Sequence, residues 1–368
     1  MDNNKHCAYL LKLLFSLINE TEPPKPDNEI DFGCLYELAK LHDVLNMSYY
    51  AIEKLDITID SALKKKWADK RSQCFHRNLI QTAEFHALCD AFEREGVEFM
   101  PLKGLYICEL YPSPDYRYMS DLDLLVKDAA KAGEAAKGLG YTAERINFMY
   151  DDSYIKPPFM HLELHRNLFR IDSPFYDYYQ DAFERAVNSG GSRYDMTPED
   201  SYVYFITHLY KHYCESGTGI RSVMDIYLLD KKHLPKLDRA DFDSKLDELG
   251  LKLFYEEFSA LAEKWFGRGD FECFSDEELY ILGSGTFGLT DNKILNRLNQ
   301  LGEEHFYLKR IFPPAAYMKD IFYPVRKCPP LLPIFYLYRI IRLISPKYRK
   351  KVEYELKVLN EKKNSQQV

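Results

Sequence analysis

Asp121 and Asp123 lie two residues apart in DLDLLV (121–126), a short alternating apolar stretch that predicts a β-strand. On a strand both carboxylates leave one face while Leu122 and Leu124 point to the other, into a core. Two negative charges held this close resist joint ionisation, and a hard divalent cation relieves the repulsion. Taken alone, the pair also fits a solvated strand end. A third carboxylate comes from HLELH (161–165), where Glu163 projects between Leu162 and Leu164 with His161 and His165 on its own face. Upstream, Lys103-Gly104 falls at a predicted strand-to-helix turn, where free backbone N–H groups favour phosphate and glycine permits close approach. Lys103 and Arg117 add positive charge there, and an arginine holds two phosphate oxygens at once. Together these residues suit a divalent cation beside a phosphate. H-x-E-x-H on a strand is also a ligand set for a transition metal. His208 and His212, at i,i+4 on a predicted helix, lack the Glu of H-E-x-x-H, and a packing role is expected for them.

The elements that must position these groups follow from periodicity. From 5 to about 93 the apolar residues recur at helical spacing, interrupted by the proline-rich EPPKPDNE at 22–29. VEFMPLKG begins a strand at Val97, and Gly104 opens a helix through Leu110. After DLDLLV comes an alanine-rich helix, AAKAGEAAKGLG (129–140), then strands in YTAERINFMY and FMHLELHRNLF. After Gly190-Gly191, Thr197 with Glu199 and Asp200 caps a long helix, and helical spacing continues to the end apart from loops around 267–275 and 312–333. We expect an α+β (mixed α/β) fold: a core with a small mixed sheet of four or five strands, flanked by helices on both sides in sequence. The expected division is 1–95, an N-terminal helical segment; 96–190, the catalytic core; 191–310, a helical domain; and 311–368, a basic C-terminal extension.

The order of a Lys-Gly turn, R-x-x-S-D-L-D-L-L-V and then an acid between apolar residues on a later strand resembles the DNA polymerase β-like nucleotidyltransferases, specifically their uncharacterised bacterial branch. The resemblance is strong over 97–170 and extends more weakly through 198–230. It implies a nucleotidyltransferase fold and Mg²⁺-dependent transfer of a nucleoside monophosphate from an NTP to a hydroxyl. By position, Asp121, Asp123 and Glu163 become the catalytic and metal-binding acids, holding two Mg²⁺ ions or Mn²⁺ in their place. Lys103, Gly104, Arg117 and Ser120 become nucleotide-binding residues. His161, His165, His212, Arg221 and Asp225, with Lys211, become candidates for the acceptor pocket. Lys103 precedes the glycine and Leu105 follows it where the superfamily usually has Ser or Gly, so one hydroxyl contact to the triphosphate is missing. Two other readings stand beside this one: a non-catalytic nucleotide-binding protein of the same fold, and a metal-dependent phosphohydrolase using His161, Glu163 and His165.

Composition bounds the partners. In 368 residues, 57 acidic against 49 basic side chains leave a net charge of −8, which disfavours duplex nucleic acid and favours a small-molecule acceptor. An apolar share of 46%, with 29 Tyr and 23 Phe, excludes a disordered chain. The tyrosine clusters 176–179 and 202–213 read as half-buried surface. The eight cysteines form no C-x-x-C pair and read as reduced core residues. The opening MDNNKHCAYLLKLLFSLINE reads as a helix rather than a signal peptide, no apolar run reaches membrane-spanning length, and a cytoplasmic location is expected. Residues 321–352 carry eight basic side chains (Arg326, Lys327, Arg339, Arg342, Lys347, Arg349, Lys350 and Lys351) and no acid. With Ile334, Phe335, Leu337, Tyr338, Ile341 and Leu343 interleaved, this resembles one basic amphipathic helix. It packs on the body with a solvated basic edge, makes peripheral membrane contact through 331–351, or meets a nucleic acid or an acidic partner.

Overall fold

The structure is a computed structural model and describes residues 3–343 and 345–365. Among the described residues seven strands form one mixed sheet: β1 (Phe99–Pro101), β2 (Leu122–Val126), β3 (Thr142–Phe148), β4 (Asp151–Lys156), β5 (Met160–His165), β6 (Val187–Gly190) and β7 (Arg193–Asp195). Their order is β3-β4-β5-β2-β1-β7-β6, with β2/β5 and β1/β7 parallel and the other pairs antiparallel.

The strand alternation read from DLDLLV and HLELH decides how the sheet is covered. Leu122, Leu124, Val126, Met160, Leu162 and Leu164 are buried on one face, against Phe85, Leu88 and Phe92 of the long helix Ser61–Glu95 and Ala129, Ala132 and Ala136 of the helix Ala129–Gly138. That helix sits close because Gly133 has no side chain: a Cβ there would meet the Tyr154 ring. Met100 and Leu125 face the other way, into a larger core shared with the N-terminal helix Asn3–Ile18, the helix Pro198–Ser216 and the helix Ile220–Lys232. Thr197 caps Pro198–Ser216 as expected, its hydroxyl accepting from the Asp200 N–H.

Several expectations are corrected. The sheet has seven strands rather than four or five, because β4 and the β6/β7 hairpin join it. β4 opens with two acids, and Arg145 and Arg166 neutralise them, which makes the strand tolerable inside the sheet. The stretch 312–333 is not a loop but carries short helices at Ala315–Ile321 and Tyr323–Lys327. The basic segment is not one helix: Arg326 and Lys327 lie on Tyr323–Lys327, and the rest is divided between Leu332–Leu343 and Pro346–Ser365, since a proline cannot continue the former. Tyr179, Tyr202 and Tyr204 are core residues rather than half-buried surface, and Cys273 and Cys328 are exposed. All eight cysteines are free thiols. Among the described residues no helix is long and apolar enough to cross a membrane. The N-terminal stretch forms a helix whose Leu10, Leu11, Leu13 and Leu14 lie in the core.

Candidate active site

On the parallel pair β2/β5, Asp123 and Glu163 occupy the same rung. Asp121 immediately precedes β2. The long helix fixes this approach: Gln81 donates to the Met119 carbonyl, and Arg77 donates to the Ser120 carbonyl at 2.5 Å. The three acids converge. Asp121, His161 and Glu163 place their ligand atoms within 4.8 Å of one another, as do Asp123, Glu163 and His165, so that Glu163 is common to both groups.

Each acid has its own surroundings. Ser120 donates its hydroxyl to Asp121 at 2.8 Å. His165 Nε2 lies 3.0 Å from Asp123 and 3.6 Å from Glu163, its ring stacked on Tyr150. His161 is 4.0 Å from Glu163 and also meets Ser153 at 3.0 Å and Glu144. Lys103 stands 3.6 Å from Asp123 and donates to His208 at 2.7 Å, with His212 a further 3.1 Å along. The Leu102 N–H donates to the Asp123 carbonyl, which fastens the Lys-Gly turn to β2.

Electrostatics separate the acids. Burial and the Asp123 charge raise Glu163 to about 7. Burial followed by the same neighbour raises Asp121. Burial acts on Asp123 in the same direction, but the Lys103 charge and the His165 hydrogen bond outweigh it and hold its carboxyl well below the usual range. Burial, with the charges of Lys211 and Lys103, depresses His212 to about 3, and burial followed by Lys103 depresses His208, so both imidazoles are neutral. Tyr150, pushed up to about 12 by burial, accepts a hydrogen bond from Lys211.

The three acids, Lys103, Ser120, Tyr150, His165, His208, Lys211 and His212 line a cavity of about 330 Å³, which also receives Gly104, Arg117, Arg221, Asp225, Thr218, Ser222 and Phe287; His161, expected in the acceptor pocket, is not in its lining and turns to Ser153 and Glu144. Arg117 is committed to Asp225 through two hydrogen bonds of 2.9 and 3.0 Å, and Tyr111 donates to the same carboxylate. Arg221 donates to the Tyr118 carbonyl, its guanidinium 5.6 Å from the Phe287 ring centre. At Gly104 a Cβ would approach the Met119 sulfur at 3.2 Å, so the glycine admits Met119 as well as facing the cavity. Sequence reasoning did not reach Tyr150, Thr218, Ser222 or Phe287. The one available signal was Phe287 within GSGTFG, an aromatic held between Gly285 and Gly288, both at positive φ.

The family described as uncharacterised nucleotidyltransferase matches residues 28–267. The chain belongs to that family. As a nucleotidyltransferase it is a transferase of nucleotidyl groups, and the match takes in every cavity-lining residue named above except Phe287. It also begins far upstream of the resemblance read from 97–170, in the connection between the helices Asn3–Ile18 and Phe32–Leu41. No curated protein and no solved structure matches the chain. The donor set of this nucleotidyltransferase, three carboxylates with two imidazoles at their edges, suits a divalent cation of the hard or borderline kind.

Proposed function

We propose that this nucleotidyltransferase moves a nucleoside monophosphate from an NTP to a hydroxyl of a small acceptor, with Mg²⁺, or Mn²⁺ in its place, held by Asp121, Asp123 and Glu163. The observation that carries the reading is the pair of ligand groups sharing Glu163, which matches the need of a triphosphate displacement for two cations side by side. Bound cations would neutralise the triphosphate and make the acceptor hydroxyl more acidic. The acceptor oxygen bonds to the α-phosphorus as the α–β bridging bond breaks, and pyrophosphate leaves in line.

The remaining residues have roles that follow from their contacts. Ser120 orients Asp121, and His165 and His161 orient Asp123 and Glu163. Glu163 would complete the metal site that activates the acceptor hydroxyl, either by ligation or as the base that takes its proton. Lys103, steadied by the neutral His208, offers its ammonium to the departing phosphates. Arg117 serves by keeping Asp225 in the wall, which leaves Arg221 as the guanidinium turned toward the ligand. Phe287, 62% exposed at the cavity and beside Arg221, offers a face for the base. About 330 Å³ is the scale of a small-ligand site, in keeping with a small acceptor and without room for a duplex.

The phosphohydrolase alternative needs His161, Glu163 and His165 on one ion. Each close group instead takes one histidine and one aspartate, which favours the transferase. Incubation with each α-labelled NTP, Mg²⁺ and a cell extract tests the proposal. Label on an acceptor with release of pyrophosphate is expected, whereas NTP bound without transfer would point to the non-catalytic alternative.

A further inference from the structure

The helix Leu332–Leu343 turns its apolar side outward. Ile334, Leu337, Tyr338 and Ile341 are 59%, 63%, 49% and 68% exposed, and their i, i+3, i+4, i+7 spacing places them on one stripe. The opposite side is fastened to the preceding C-terminal segment: Tyr336 donates to the Pro313 carbonyl at 2.6 Å, Arg339 donates to the Arg310 carbonyl at 3.0 Å, and the Phe335 ring packs 4.8 Å from Phe322. The outward stripe is thus a fixed feature of the fold, and a contiguous apolar stripe on a folded surface marks an interaction site.

Charge identifies what the stripe meets. Residues 321–352 hold eight basic side chains and no acid, in a chain of net charge −8. Arg326 and Arg339 are engaged with backbone carbonyls, and Lys327, Arg342, Arg349 and Lys350 are exposed, Arg342 on the helix itself and the others on the helices before and after it. The side chains of Lys347 and Lys351 lie outside the described residues. At twelve residues the helix is too short to span a bilayer about 30 Å thick, but it can lie in the plane of one.

We propose that this face docks on a bilayer carrying anionic headgroups, with Ile334, Leu337, Tyr338 and Ile341 entering the acyl boundary and the basic rim on the phosphates. A nucleic acid has no use for three aliphatic side chains at the centre of the patch. A second copy of the chain would set one basic rim against another. The inference is independent of the transferase reaction and stands or falls without it.

Flotation of the full chain tests it, using vesicles of phosphatidylcholine alone and vesicles with about 30% phosphatidylserine. Binding is expected only to the anionic vesicles and is expected to weaken in high salt. Leu337→Ser/Ile341→Ser should lower partitioning at least about tenfold with unchanged circular dichroism, because the buried apolar area sets the affinity. Neutralising Arg342, Arg349 and Lys350 to Gln should lower it as well. The proposal is overturned if the wild type floats with neither vesicle, or if the serine variant floats as well as the wild type. It is equally overturned if the stripe proves to hold two copies together, seen as a wild-type dimer in light scattering that the serine variant dissolves, or to retain single-stranded RNA in place of lipid.

Discussion

Arg117 and Asp225, 108 residues apart in sequence, form a nearly solvent-free ion pair whose two hydrogen bonds run in parallel from Nε and Nη2 to the two carboxylate oxygens. The pair joins the segment leading to β2 to the helix Ile220–Lys232, and so sets the distance between the carboxylate cluster and the opposite cavity wall. Both residues, read from sequence as ligand-facing, have their strongest contacts with each other.

Removing one partner leaves the other charge buried without compensation. Asp225→Asn is expected to cost roughly 3–5 kcal/mol of stability in urea denaturation. The double change Arg117→Met/Asp225→Leu should recover most of that loss, since no charge is then stranded.

His42 ties the N-terminal segment to the later helices: its Nδ1 accepts from the Ile220 N–H and its Nε2 donates to the Leu282 carbonyl. Only the neutral ring can do both. Burial, opposed by the Leu282 hydrogen bond, lowers its pKa from 6.5 to about 4. The unfolded chain therefore binds a proton that the folded chain refuses, and stability falls as pH drops below 6.5, by roughly 3 kcal/mol at full effect. The urea midpoint should decrease from pH 7 to pH 5, with a shallower decrease in His42→Gln. An identical pH dependence in that variant would contradict the assignment.

Phe287 is assigned to the base and not to the phosphates. Phe287→Ala should weaken binding of Mg·ATP in calorimetry by about 1–3 kcal/mol, the range for stacking a base on an aromatic ring. Inorganic tripolyphosphate should bind both proteins alike, and Phe287→Trp should restore the nucleotide affinity. Equal loss for both ligands would make the residue structural.

The sharing of Glu163 predicts an unequal pattern of metal loss. In Mn²⁺ titrations followed by paramagnetic resonance, Asp121→Asn should remove one of two sites, whereas Glu163→Gln should weaken both. Parallel losses in the two variants would mean a single ion.

The acids were legible because strand parity is local. Once DLDLLV and HLELH are strands, the faces of Asp123 and Glu163 are decided by alternation, and β2/β5 pairing brings these two level, whereas Asp121 falls just before β2 and is placed by the segment leading into it. The Thr197 cap is local in the same way. What failed was tertiary: β4 reads as polar until Arg145 and Arg166 are placed beside its acids, and Tyr150, in the turn between β3 and β4, is invisible without that hairpin. His208 and His212 are recognisable as a helical pair, but their alignment with Lys103 depends on how the helix Pro198–Ser216 crosses the sheet. The outward stripe on Leu332–Leu343 is readable as a pattern, yet only the packing of its other side shows which face remains open.

The most direct measurement is label transfer from the α-labelled NTPs by wild type and Asp123→Asn side by side, with circular dichroism and thermal midpoint recorded for both. Transfer to an acceptor by the wild type and a fall on the order of 10²–10³-fold or more in the folded variant is the predicted result. Undiminished transfer by Asp123→Asn would remove the carboxylate cluster from the chemistry.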